Sequence, residues 1–264
     1  MNLLQDIAAR NRAGEPIGIA SSCSAHPLVL EACAAQARDD ASPLLVEATC
    51  NQVNQDGGYT GLTPADFRDL VVRIAADAGL PAERLILGGD HLGPNPWRHL
   101  PPAAAMAKAA AMIEAYAEAG FGKLHLDCSM ACAGDPTPLP DATIAERAAA
   151  LCAVAEAACR RAGTTPLYVV GTEVPTPGGA TEALDHLAVT PAAEVERTLH
   201  LHREAFARAG VAEATERILA IVVQPGVEFG HDEVADFVPE KAQALSAAIA
   251  RLPGVVLEAH STDY

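Results

Sequence analysis

The chain has 264 residues, a formal charge of −16, and a composition that is half hydrophobic but only 4% aromatic. That length suits one large α/β barrel or two small domains. The negative charge gives no attraction to nucleic acid or an anionic membrane, and it repels phosphorylated ligands at long range. No run of 18 apolar residues occurs, so no membrane-spanning helix is expected. Met1–Asp6 lacks the basic start and apolar run of a signal peptide. The seven cysteines (Cys23, Cys33, Cys50, Cys128, Cys132, Cys152 and Cys159) form no CxxC pair and read as reduced thiols of a cytoplasmic protein.

In chain order, seven short aliphatic runs read as strands: 17–21, 44–48, 85–88, 124–127, 167–171, 218–224 and 255–259. They are apolar on both faces, as buried parallel strands are. Between them lie six helical stretches, at 27–38, 64–79, 102–119, 141–162, 191–209 and 239–252. Thr63-Pro64 and Thr190-Pro191 each place a capping hydroxyl before a first-turn proline. Gly79, Gly120, Gly163 and Gly210 stand where helices should stop.

This βα alternation predicts parallel strands with right-handed crossovers. A doubly wound sheet usually carries a phosphate fingerprint after its first strand. Here Ser21–Pro27 follow instead, with no GxGxxG or GxxxxGK. The expected fold is therefore α/β, a TIM-type (β/α)8 barrel. Residues 1–264 read as one barrel domain with seven visible strands and the eighth expected beyond Tyr264.

In such a barrel the chemistry sits at the C-terminal strand ends. Six of the seven strands end there in unusual polar groups, which are costly to bury unless paired or metal-bound. His91, Glu173 and His260 come from three strands and are the expected ligands of a divalent metal, with zinc the best match. Asp90, beside His91, is the expected proton-transfer group at a substrate hydroxyl, or else a carboxylate that orients an imidazole. Glu47 is a rival base. Ser22, Asn51, Asn54, Asn95, Asp127, Gln224, Glu228 and Ser261 are expected to contact substrate. His99, His186, His200 and His202 are expected to face solvent.

Lysine is scarce. Lys108 and Lys241 lie on helices, and Lys123 starts strand four at the end remote from the site, so none is placed for a Schiff base. Carbonyl chemistry here should use metal. No nucleotide-binding or kinase loop is present, which disfavours phosphoryl transfer from ATP.

The motifs Glu47–Gln55, Gly58–Gly61, Gly88–Asn95, Gly171–Pro175, Gln224–Phe229 and Glu258–Tyr264 resemble a known family. It is the accessory, so-called non-catalytic, subunit family of class II D-tagatose-1,6-bisphosphate aldolase. The resemblance runs from about residue 15 to the end. It implies a class II aldolase-like barrel, a phosphorylated ketohexose substrate and a catalytic aldolase subunit as partner, with a homo-oligomer as a further expectation. Some members are described as 4-epimerases of ketohexose 6-phosphates, others as tagatose-6-phosphate kinases. In the related catalytic aldolases an Asp-His pair follows strand three, with His on zinc and Asp moving a proton, and Asp90-His91 matches it. Their late-strand histidine ligand corresponds to His260. Their strand-six histidine is replaced by Gln224 and Glu228, and their glycine-rich phosphate loop by Ser261-Thr262-Asp263. The resemblance implies metal-dependent 4-epimerisation between tagatose and fructose 6-phosphates by opening and re-forming C3–C4, or stabilisation of a catalytic aldolase subunit.

Overall fold

Aliphatic runs become strands and alanine-rich stretches become helices in the computed structural model, which describes residues 3–172, 188–229 and 234–260. The helices are α1 (Leu3–Arg12), α2 (Pro27–Asp39), α3 (Pro64–Asp77), α4 (Pro102–Glu118), α5 (Asp141–Ala162), α6 (Ala192–Arg208) and α7 (Pro239–Ala248). The strands are β1 (Ser21–Ser22), β2 (Leu44–Thr49), β3 (Leu85–Leu92), β4 (Lys123–Leu126), β5 (Leu167–Gly171), β6 (Ile218–Val223), β7 (Glu228–Phe229), β8 (Val234–Ala235) and β9 (Val256–Ala259).

Seven strands form one parallel sheet in the order β1-β2-β3-β4-β5-β6-β9, and β7 and β8 form a small antiparallel hairpin. Strand order follows chain order without reversal, which is barrel-type winding rather than doubly wound winding. The sheet is a curled half-barrel whose edges, β1 and β9, do not pair with each other among the described residues.

Period-two alternation then divides the residues. Leu44, Val46 and Ala48 of β2 face the helices and join the main core with Phe67, Val71 and Ile74 of α3. Leu45, Glu47 and Thr49 face inward along a cavity. At the N-terminal end of the strands, Leu45, Leu167 and Leu219 pack round Leu4 and Ala8 of α1. This helix, which was not among the expected elements, plugs the bottom of the half-barrel. Arg12 fastens it by donating to the carbonyls of Ile249, Leu252 and Val255 at 2.5–3.0 Å.

The expected helix signals behave unequally. Thr63 and Asp66 form a reciprocal capping box at α3, and Gly163 closes α5 in the left-handed region at φ 71°. Thr190 does not cap α6. Its hydroxyl accepts from the Gln224 backbone N–H and ties the start of α6 to the end of β6. The first strand is shorter than expected and lies at Ser21–Ser22, whereas β3 runs on to Leu92. Among the described residues no helix is long and apolar enough to cross a membrane.

Candidate metal centre

Adjacent residues of a regular strand point to opposite faces, so Asp90 and His91 should not share a site. The backbone resolves this. The β3–β4 register shifts between Gly89 and Leu92, and His91 takes φ 47°. A bulge at this point turns both side chains into the barrel mouth. The left-handed conformation costs an L-residue roughly 1–2 kcal/mol. Gly93, just beyond, passes so close to β4 that a Cβ there would stand 1.7 Å from the Asp127 carbonyl oxygen.

Three imidazoles meet around Asp90, and each is held from outside. His91 Nδ1 lies 2.9 Å from Asp127 Oδ2, His125 Nε2 lies 2.9 Å from the Gly171 carbonyl oxygen, and His260 Nε2 lies 3.0 Å from Glu258 Oε1. All three partners are acceptors, so each outer nitrogen carries the hydrogen and each inner nitrogen presents a lone pair. The His91 backbone N–H donates to His125 Nδ1 at 3.2 Å, which fits a bare nitrogen there. His260 Nδ1 and His91 Nε2 then face each other at 2.9 Å, and His125 Nδ1 lies 2.9 Å from Asp90 Oδ1. Lone pairs this close repel unless a cation or a proton stands among them. One ligand atom from each of Asp90, His91, His125 and His260 lies within 4.8 Å of all the others. Three imidazole nitrogens and a carboxylate suit zinc or a similar divalent ion, so the residues present fit a metal.

The electrostatics favour ionised carboxylates at this mouth. Burial opposes the charge on Asp90, but His91, His125 and His260 hold its carboxyl well below the usual range. Burial likewise opposes the charge on Asp127, and the His91 hydrogen bond overcomes it and pulls the carboxyl down. One layer deeper, Lys123 Nζ lies 2.8 and 2.9 Å from the two Glu47 oxygens and 2.9 Å from Glu258 Oε2. Burial works against Glu258 too, yet Lys123 and His260 bring it down to about 2. Burial raises Glu47, with Lys123 pulling it back.

A cavity of about 1500 Å³ runs from this mouth down between β1 and β9, lined by Asp90, His91, Asp127, Asn51, Asn95 and His260 among others. Of the expected site residues, Asp90, His91 and His260 are thus brought together. Glu47 lies beneath them in an ion pair. Asn51 and Asn95 line the cavity, while Asp127 both lines it and holds His91. Ser22 turns away, its hydroxyl accepting from Cys33 Sγ, and its neighbours Ser21 and Ser24 line the cavity instead. Asn54 is buried and folds onto its own loop, bonding Cys50, Asp56 and Gly58. Gln224 spends its oxygen on the N–H groups of Gly226 and Val227 and approaches the buried Glu228 at 3.4 Å. Glu173 and Ser261 lie outside the described residues, as does His186.

Sequence reasoning missed His125 as a cluster member. The signal was there: Lys123 and His125 alternate along β4, with Asp127 next in the same alternation just past its end, and so share its inner face. Lys123 does begin β4 at the far end, but its side chain is buried inside the barrel. His202 corrects another expectation. It is buried on α6, where burial lowers its pKa, and its Nε2 has no hydrogen-bond partner among the described residues.

Fold and site together define an α/β-barrel-type protein with a histidine–aspartate centre at the C-terminal ends of its strands. The family model for the D-tagatose-1,6-bisphosphate aldolase subunit GatZ/KbaZ-like family matches residues 4–264, and the chain belongs to that family. A relative from Agrobacterium fabrum, the D-tagatose 6-phosphate 4-epimerase, is 57% identical over 99% of this chain and 62% of its own length. A D-tagatose-1,6-bisphosphate aldolase subunit GatZ from Salmonella heidelberg is 53% identical over the same shares. The chain therefore spans about three fifths of the length of the curated relatives it matches. A crystal structure titled as a probable tagatose 6 phosphate kinase from Sinorhizobium meliloti 1021 superposes with a TM-score of 0.83 at 55% identity. The match covers 94% of this chain and 59% of that one.

Proposed function

We propose that this protein interconverts tagatose 6-phosphate and fructose 6-phosphate by 4-epimerisation at the Asp90–His91–His125–His260 centre. The carrying observation is the convergence of three outward-anchored imidazoles on one ionised carboxylate at a cavity mouth. The 57% identical epimerase supports the substrate class. A divalent cation held by His91, His125 and His260, with zinc the best match, would polarise the ketose carbonyl and offset the negative charge that develops as C3–C4 opens. Glu173 is a further ligand in this reading.

Asp90 takes the proton from the C4 hydroxyl as C3–C4 breaks. The aldehyde turns its other face, C3–C4 re-forms, and Asp90 returns the proton to the C4 oxygen. No proton or electron is gained or lost overall, so no nicotinamide is needed. Glu47, already engaged by Lys123, anchors the layer below rather than exchanging protons with substrate. Asn51 and Asn95 contact the sugar from the cavity wall. The seven free cysteines support a reducing, cytoplasmic setting.

Zinc-loaded protein incubated with 13C-labelled tagatose 6-phosphate should yield fructose 6-phosphate by NMR. Failure to interconvert the two at full zinc occupancy would sink the proposal. The relatives named as aldolase subunits support a second role, as partner of a catalytic tagatose-bisphosphate aldolase subunit. Co-elution with such a subunit and a longer aldolase half-life are its expected signs.

A further inference from the structure

Beneath the imidazole cluster is a feature that substrate chemistry does not require: a lysine buried inside the barrel. Lys123 is 2% exposed, and its ammonium lies within 3.0 Å of both oxygens of Glu47 and both oxygens of Glu258. Burying three charges is costly, and an apolar layer of the same shape would stabilise a fold as well or better. The layer just below is built that way, from Leu45, Leu167 and Leu219. The charged layer therefore asks for a reason other than packing.

Geometry supplies one. Glu258 stands between Lys123 and His260: the ammonium grips both of its carboxylate oxygens, and Oε1, one of the two, also faces His260 Nε2 at 3.0 Å. The bond at Nε2 leaves the Nδ1 lone pair pointing toward His91 Nε2. The Glu258 carboxylate, held in place by the ammonium, accepts from Nε2–H and so fixes both the orientation of the ring and that tautomer. Glu47 holds the ammonium from the opposite side. Gly88 makes room for this arm, since a Cβ there would stand 2.4 Å from Glu47 Oε1.

We propose that Lys123 is a positioning residue of the centre: through Glu258 it fixes the ring and tautomer of His260, and so sets how tightly the cluster holds a divalent cation. The proposal rests on the metal reading above for its second half only.

Two measurements separate the halves. Nitrogen-15 NMR of the histidine rings in metal-free protein reads the His260 tautomer, and titration with cobalt(II), followed by its visible absorption, reads affinity. Lys123→Met should lose the Nε2–H form of His260 and weaken cobalt binding at least tenfold, the size expected for a partner that orients a ligand. Glu47→Gln leaves the Lys123–Glu258–His260 line intact and should keep both readings near wild type, even where it lowers thermal stability. If Lys123→Met does not fold, the double variant Glu47→Gln/Lys123→Met removes the like-charge strain and carries the same prediction as Lys123→Met. Retention of the Nε2–H tautomer in Lys123→Met or in the double variant overturns the proposal. So does a Glu47→Gln variant that loses as much cobalt affinity as Lys123→Met, since that marks a merely structural layer. Wild-type protein that takes up no cobalt defeats the metal reading, and the tautomer measurement still decides the role of Lys123.

Discussion

The inside of this half-barrel is two different materials stacked along the same strands. At the N-terminal ends Leu45, Leu167 and Leu219 close on Leu4 and Ala8 of α1, with no polar group among them. Toward the C-terminal ends of β2, β3, β4 and β9, the inward-facing positions hold Glu47, Asp90, His125 and Glu258, with His260 just past the end of β9. The alternation is identical in both layers, so it does not choose between them. What differs is the partner: leucines need only close contact, whereas every buried charge above them has a named counterpart. The lower layer supplies stability, and the upper layer surrenders some of it to hold groups in one arrangement.

Substitutions should separate the layers. Asp90→Asn removes the proposed proton-transfer group while keeping its shape, and under the proposed function should lower epimerisation by about 10²–10⁴-fold. Chemical denaturation of the same variant should show far less change than that. Leu45→Ala should do the reverse. Loss of a buried leucine costs about 2–5 kcal/mol, read by urea unfolding, while cobalt affinity of the folded protein stays near wild type.

Gly88 lies at the boundary. Gly88→Ala drives a methyl into the Glu47 carboxylate. By pushing that carboxylate against Lys123, and so displacing the Lys123–Glu258–His260 line that Glu47→Gln leaves in place, it should destabilise the fold by about 1–3 kcal/mol and weaken metal binding together, the only one of these changes to touch both layers.

Acid gives the mildest contrast. Glu258 sits near 2 in the folded protein against an ordinary 4.5. Its folded value is depressed, so its contribution to stability is complete above about 4.5 and lost as pH falls toward 2. Urea midpoints measured across that window should fall with pH in wild type and in Leu45→Ala alike, and fall less steeply in Glu258→Gln. A slope unchanged by Glu258→Gln would show that the upper layer does not carry the acid sensitivity.

Much of the lower layer and its surrounding shell was legible in the sequence. Aliphatic runs such as 218–224, bounded by helix stops like Gly163 and Gly210, place parallel strands without further information. α1 was not legible, because a short amphipathic helix announces its face but not the barrel floor it will plug. The upper layer was legible in residue type and only partly in arrangement. Asp90 and His91 advertise a site, but the bulge that lets neighbours share it depends on a positive φ at His91, which histidine adopts more readily than most residues but too rarely for the sequence to announce it. His125 follows from strict alternation on β4, which a strand-end reading passes over. Lys123 shows the limit most clearly: its position along the strand is remote from the mouth, and only a flexible side chain of four methylenes brings its charge beneath the centre.

The central claim is that three imidazoles, including the one from β4, converge on one cation. Zinc K-edge absorption of the wild-type protein beside His125→Gln tests it most directly. The account predicts three histidine ligands falling to two, with affinity reduced at least tenfold. An identical histidine count in the two proteins, or zinc bound with no histidine signature, would contradict it.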